Sequence, residues 1–208
     1  MGVKVVGIVG SYRKGKTIDS AVSAVLEGAK AKGAETKKIY LLDEHIEFCT
    51  NCRSCAQEKV EGKRGKCVHD DDMEGILAEI DEAEAVVLGA PINLGNVTAI
   101  MKRFIERLAP YFYWPWGETV APVQRIAKLD KKAITVTSSA CPAFIGRILM
   151  PGALSMLKKA ARIMGAKVVK SLYFGPVCKQ EDSQLSEKAL LKAHKAGEEL
   201  VSKIQAGK

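Results

Sequence analysis

The sequence predicts a doubly wound α/β fold built on five parallel strands. Three observations carry that prediction. Short apolar runs such as Val3–Val9 and Ala85–Ala90 have the length and composition of strands buried on both faces. Segments with helical spacing separate the runs, and the two kinds alternate along the chain. The first run closes on Gly10, Ser11, Tyr12, Arg13, Lys14, Gly15, Lys16 and Thr17, a polar turn feeding a helix.

Taken in order, Val3–Val9 is the first strand. Ile18–Lys32 comes next as a helix, because Ile18, Ala21, Val22, Val25, Leu26 and Ala29 recur on one face. Lys37–Leu42 is the second strand. Asp43–Lys66 is a loop, part of a cysteine-rich stretch over residues 43–70. Asp71–Ala83 is a helix with acidic residues in its first turn and a stripe of Met73, Ile76, Leu77 and Ile80. Ala85–Ala90 is the central strand, Pro91–Asn96 a loop, and Val97–Leu108 a helix with Ile100, Met101, Phe104, Ile105 and Leu108 inward. Pro110–Leu129 is irregular and holds most of the aromatics. Ala133–Thr137 is the fourth strand and Ser138–Gly146 a loop. Ile148–Met164 is mostly helix, in a crossover punctuated by Pro142 and Pro151. Lys167–Phe174 is the fifth strand and Ser183–Gln205 the last helix. Crossover handedness leaves few topologies, and the expected one is the flavodoxin-like order 2-1-3-4-5. In that order a ligand sits beyond the carboxyl ends of the strands. Those ends are Gly10–Thr17, Asp43–Cys55, Pro91–Asn96, Ser138–Pro142 and Gly175–Cys178, and the first four are rich in Gly, Ser, Asn and Pro.

Composition narrows the function classes. With 208 residues, 47% hydrophobic and 27% charged, the chain reads as one soluble globular domain spanning residues 1–208. It starts in a strand, with no signal peptide and no apolar run long enough for a membrane, so a cytoplasmic protein is expected. Six cysteines in that setting point to metal or redox chemistry rather than disulfides. The net charge of +8 favours acidic partners or anionic cofactors. The lysines are spread along polar helix faces and no nucleic-acid motif accompanies them, so nucleic acid is not expected.

The turn Gly10–Thr17 is read as a phosphate cradle. Backbone N–H groups and the dipole of the following helix favour an anion there. Ser11 and Thr17 supply hydroxyls, and Arg13, Lys14 and Lys16 supply charge. Gly10-x4-Gly15-Lys16-Thr17 also satisfies the P-loop pattern of nucleotide triphosphatases. That alternative needs an acidic residue at a strand end to hold magnesium. Its one candidate is the Asp43-Glu44 pair, early in the chain.

The cysteines form a second constellation. Cys49, Cys52 and Cys55 are each two residues apart, which lets thiolates converge as a short loop folds around a centre. With Cys67 as fourth member the set resembles four-thiolate iron–sulfur ligation; a structural zinc more often uses two separated pairs. Free or redox-active thiols are the third alternative. Residues 56–66 form a charged insert that can bulge into solvent. Cys141 and Cys178 are expected as buried, inert thiols, although Cys141 falls on a loop near the cradle. His45 and His69 read as surface or hydrogen-bonding residues. Asp70, Asp71 and Asp72 read as a helix cap. Lys102 and Arg107 read as surface charges, and the aromatic run Tyr111–Trp116 as core packing or a lid.

Together these pieces resemble the NADPH-dependent FMN reductase branch of the flavodoxin-like flavoproteins, and more narrowly the iron–sulfur flavoproteins of anaerobic microbes. Gly10-Ser11-Tyr12-Arg13 with Thr17 resembles the family's FMN-phosphate loop. Cys49, Cys52 and Cys55 resemble its compact cysteine motif. Cys67 with Asp70–Asp72 resembles its next cysteine and the acidic helix start. Pro91-Ile92-Asn93-Leu94-Gly95-Asn96 stands where the family contacts the flavin. Lys102, Arg103, Phe104 and Arg107 resemble the helix behind that loop.

The resemblance implies FMN as cofactor. Ser11, Arg13, Gly15, Lys16 and Thr17 would surround its phosphate, and Pro91 to Asn96 would lie against its ring. Ile92 and Leu94 suit a flat ring, and Asn93 and Asn96 its polar edge. Thr137, Ser138 and Ser139 would donate to flavin carbonyls, favouring the reduced ring. It further implies a [4Fe–4S] cluster on Cys49, Cys52, Cys55 and Cys67, a ferredoxin-like electron donor, a small-molecule acceptor and a homodimer or homotetramer. The expected activity is that of an FMN-dependent oxidoreductase passing electrons from cluster to FMN. The alternatives are a cluster-free NAD(P)H-dependent FMN or quinone reductase, a non-enzymatic electron carrier, and the P-loop NTPase.

Overall fold

A computed structural model describes residues 2–117, 119, 121–177 and 184–207. Five parallel strands form its sheet: β1 (Lys4–Val9), β2 (Glu35–Tyr40), β3 (Ala85–Gly89), β4 (Lys131–Ser138) and β5 (Ala166–Phe174), in the order β2-β1-β3-β4-β5. This is the doubly wound, flavodoxin-like order that the alternation of elements predicts. Val5 pairs with Ala85 and Ile8 with Ile39, so the apolar residues of β1 sit between two neighbours.

Side-chain alternation splits the core into two layers. Val6, Ile8, Val86 and Leu88 face one side, covered by α2 (Met73–Glu82), α3 (Ala99–Glu106) and α5 (Gly152–Ile163). Val5, Val9, Val87, Ile134 and Val136 face the other, covered by α1 (Thr17–Ala31) and α6 (Glu187–Gln205). Each fully buried side chain of this kind contributes about 1.5–3 kcal/mol. The α1–α6 pair packs backbone to backbone: a Cβ at Gly28 would stand 1.9 Å from His194 O, and one at Gly197 1.9 Å from Val25 O.

Two elements lie outside the expected set. A short helix, α4 (Ala143–Leu149), begins inside the segment expected as the loop Ser138–Gly146, with Pro142 at its N-cap and Pro151 after its end. A two-residue antiparallel ribbon pairs Phe112 with Gln124 and Tyr113 with Val123 inside the region expected to be irregular. The second strand begins at Glu35, before the apolar residues that mark it in the sequence, because its edge position leaves Glu35, Lys37 and Lys38 in solvent. No described helix is long and apolar enough to cross a membrane.

Candidate functional site

The first site is a cleft beyond the carboxyl ends of β1, β3 and β4. Backbone bonds continue the sheet into it: Gly10 N–H to Gly89 O at 2.8 Å, Ala90 N–H to Val136 O at 3.0 Å and Ile92 N–H to Ser138 O at 2.9 Å. The resulting cavity of about 250 Å³ is lined by Ser11, Arg13, Lys16, Thr17, Ile92 and Ser139, among others. Gly10 fits beneath it because a Cβ there would stand 2.6 Å from Met101 Cβ. Thr98 fixes this floor, its hydroxyl donating to Gly10 O at 2.7 Å and accepting from Met101 N–H at 3.3 Å at the start of α3.

The cradle is built as an anion site. The Lys16 side chain makes no cap bond to α1, and Lys16, Thr17 and Ile18 line the cleft, so the start of the helix borders it. Ser11 Oγ accepts from Arg13 N–H at 3.2 Å, which curls the turn. Gly15 stands apart: its φ of 69° places it in the left-handed region, and its N–H is taken by Asp19 Oδ2 at 2.7 Å. The Asp19 charge is met by Lys38 Nζ at 2.7 Å. Asp43, the magnesium candidate of the P-loop alternative, pairs with Lys14 instead.

The Pro91–Asn96 loop enters only in part. Pro91, Ile92 and Asn93 line the cleft. Asn93 and Asn96 close on each other through backbone bonds of 2.8 and 3.1 Å, and the Asn96 side chain accepts from Val97 N–H at 2.8 Å. Leu94, at φ 47°, points fully into solvent. Gly95 lies against the start of α5, where a Cβ at Gly152 would meet Gly95 O at 2.7 Å. Ser138 and Ser139 line the opposite wall. Thr137 lies beneath, with its Oγ1 buried and without a partner. An orphaned hydroxyl under a basic, hydroxyl-rich cleft suits a ligand with a phosphate at one end and polar atoms at the other. FMN is such a ligand.

The four cysteines Cys49, Cys52, Cys55 and Cys67 line one cavity of about 290 Å³, walled by Ile105, Leu108, Pro110, Phe112 and Trp114. Burial pushes the Cys55 thiol up to about 11, and the neighbouring Cys67, Cys49 and Cys52 push the same way. Hydrogen bonding by Ser54 holds the exposed Cys52 thiol below its ordinary range. Among the described residues no three His, Cys, Asp or Glu side chains close on one metal-ion position. A single zinc needs every thiolate about 2.3 Å from one point. Four thiols lining one apolar-walled cavity are the donor set that four-thiolate iron–sulfur ligation uses.

The loop carrying the cysteines is held by residues whose sequence pattern suggests simpler roles. Arg107 is not a surface charge: it is 2% exposed. Its guanidinium bonds Asp71 at 2.5 and 3.0 Å, Glu47 O at 2.8 Å and Cys67 Sγ at 3.5 Å. Asp71 also accepts from Glu47 N–H at 2.7 Å and Met73 N–H at 3.1 Å, so it ties the cysteine loop to the start of α2 as well as capping it. Burial pushes the Asp71 carboxyl up, but Arg107 and these N–H groups outweigh it, leaving it below the usual carboxylate range.

The aromatic run also differs from a simple lid. Tyr111 is fully buried and donates to Asp81 at 2.7 Å. Trp114 and Trp116 flank the Arg53 guanidinium at 3.3 and 4.2 Å from their ring centres. Arg53 sits between Cys52 and Cys55 at φ 54°. His69 lines the same cavity, with its Nε2 buried and unpartnered, whereas His45 is exposed and 3.0 Å from Glu47. Lys102 is a surface charge, paired with Glu106 at 3.1 Å. Cys141 is half-buried, 3.4 Å from Ser139 Oγ; Cys178 lies outside the described residues.

A five-stranded sheet in this order, with a phosphate cradle after β1 and ligand loops after β3 and β4, defines a flavodoxin-like flavin-binding domain. Residues 3–177 match the model of the NADPH-dependent FMN reductase family, and the chain belongs to that family. It is 36% identical over 113 residues to an iron–sulfur flavoprotein of Archaeoglobus fulgidus, covering 54% of this chain and 49% of that one. It is 33% identical over 105 residues to an iron–sulfur flavoprotein of Methanosarcina thermophila, covering 50% and 52%. The chain thus spans about half the length of the curated relatives it matches. Its fold is also that of an NAD(P)H:quinone oxidoreductase from Methanothermobacter marburgensis, with a TM-score of 0.69 at 20% identity over 96% of both chains.

Proposed function

We propose that the protein is an electron-transferring FMN oxidoreductase that also carries a [4Fe–4S] centre on Cys49, Cys52, Cys55 and Cys67. The observation that carries the reading is the convergence of these four cysteines on one cavity, in a chain whose family binds FMN. When bound, FMN supplies one- or two-electron exchange and the iron–sulfur centre one-electron exchange. The chain's own residues bind and orient. Ser11, Arg13 and Thr17 hold the phosphate; Ile92 and Asn93 bound the ring; the Ser138 hydroxyl donates to its carbonyls, while Ser139, whose hydroxyl donates to Cys141 O at 2.9 Å and whose N–H donates to Phe174 O at 3.0 Å, shapes the wall. Arg107 and Asp71 fix the cysteine loop, and the apolar wall from Ile105 to Trp114 shields its inner side, where Cys55 is buried. A ferredoxin-like acidic protein is the proposed donor, drawn by the +8 net charge. A small molecule is the proposed acceptor, and a homodimer or homotetramer the proposed assembly.

A second reading is a cluster-free NAD(P)H-dependent FMN or quinone reductase. It is favoured by the NADPH dependence of the family that the chain matches over residues 3–177. Anaerobic mixing separates the two. The first reading expects bound flavin to be reduced by a reduced ferredoxin faster than by NADPH. Rapid stoichiometric reduction by NADPH in iron-free protein would overturn it in favour of the second.

A further inference from the structure

We propose that Arg125 is the buried counter-charge of the cysteine centre and sets its reduction potential without touching a ligand. The inference rests on the cluster reading above. Arg125 is 8% exposed. Its Nη2 donates to Glu58 O, and its backbone N–H donates to Tyr111 O at 2.8 Å. Its Nε and Nη1 are buried without a partner, and no carboxylate among the described residues pairs with it. Arginine is almost never this buried unless paired, because the desolvated charge has nothing to offset it.

The position of the guanidinium supplies the missing partner. A Cβ at Gly65 would stand 1.9 Å from Cys55 O and 2.6 Å from Arg125 Nη1, so glycine there lets Arg125 close on the Cys55 peptide from behind the cavity wall. On the same segment of chain, Pro122 lines the cavity itself. Arg107 carries no net charge into this region, since Asp71 is bound to it. Arg53, on the cavity lining between Trp114 and Trp116, is half-buried; Arg125 is the buried cation that no carboxylate among the described residues matches, and the group beside it that can carry balancing charge is the set of four thiols. Four thiolates on an oxidised [4Fe–4S] core leave a doubly negative centre, and one added electron makes it triply negative. A fixed cation in a low-dielectric wall favours the more negative state and so raises the potential.

The test is an anaerobic redox titration with dithionite and mediator dyes, read by electron paramagnetic resonance on protein of measured iron and sulfide content. Arg125→Gln should lower the midpoint potential, and Arg125→Lys should hold it near the wild-type value. Asp71→Asn should raise it, because it leaves the Arg107 charge unmatched. Loss of the centre in Arg125→Gln but not in Arg125→Lys also supports the charge. A wild-type potential in iron-replete Arg125→Gln overturns the inference. Loss of the centre in both Arg125 variants overturns it too, since the fork would then be structural. Wild-type protein without iron or sulfide would refute the cluster reading itself, and this inference with it.

Discussion

Replacing Arg107 with Met isolates what holds the cysteine loop. The change keeps much of the side-chain volume but removes both bonds to Asp71, the bond to Glu47 O and the contact with Cys67. The Asp71 side chain is fully buried, so its carboxylate would be left as an unpaired charge. Breaking a buried pair from one side costs about 3–5 kcal/mol. The N–H groups of Glu47 and Met73 still solvate Asp71, which places the loss near the lower end, about 3 kcal/mol. In a domain of this size that lowers Tm by about 6–12 °C. The assay is thermal unfolding of reduced, iron-free protein at pH 7, with circular dichroism as the readout. The pH dependence adds a check with a definite sign. The folded Asp71 carboxyl is held below the usual carboxylate range, so the pair's stabilisation is full above the unfolded carboxyl's ordinary value. It fades as pH falls through the lowered folded value, and the difference between variant and wild type should shrink there. A loss of less than about 1 kcal/mol at pH 7, the worth of an exposed pair, would refute a buried tie between Arg107 and Asp71.

The same geometry sets further expectations. Arg13→Ala should weaken FMN binding about tenfold to a hundredfold, the worth of a charge-assisted bond to phosphate, read by quenching of flavin fluorescence. Thr137→Val should stabilise FMN-free protein by about 1 kcal/mol, because it removes a buried hydroxyl that has no partner; denaturant unfolding reads it. Trp114→Ala removes the ring stacked on Arg53, worth about 0.5–2 kcal/mol, and should speed alkylation of Cys52 and Cys55 in iron-free protein. Gly65→Ala should unseat the loop altogether, since its Cβ overlaps Cys55 O, and alkylation of Cys55 should then match that of an unfolded control.

The strands and long helices are legible in the sequence because their signals are local. Val5, Val9 and Val87 alternate with Val6, Ile8 and Leu88 across the sheet, and α1 and α6 present stripes at helical spacing. The helix α4 is not legible: Pro142, Gly146 and Pro151 crowd a short segment, and Phe144, Ile148 and Leu149 stand exposed, so no inward stripe marks it. The cradle can be read from Ser11 to Thr17 because the turn itself holds its donors. The supports of the cysteine loop cannot. Arg107 reaches Cys67 across 40 positions of chain, and Arg125 reaches Glu58 across 67. Helical charge pattern alone makes Arg107 resemble a surface residue. Its burial arises when the loop folds over the end of α3, a tertiary event with no sequence period. The one available hint is the run of opposite charge from Asp70 to Asp72, which exceeds what one helix cap uses.

Whether one chain holds both FMN and a four-iron centre decides the proposed function. The direct measurement is the ultraviolet–visible spectrum of protein purified without oxygen, with iron and acid-labile sulfide assayed on the same sample. The expected result is flavin bands over a broad absorption near 400 nm, with about four irons and four sulfides per chain. Flavin bands with no iron, persisting after anaerobic reconstitution with iron and sulfide, would contradict it.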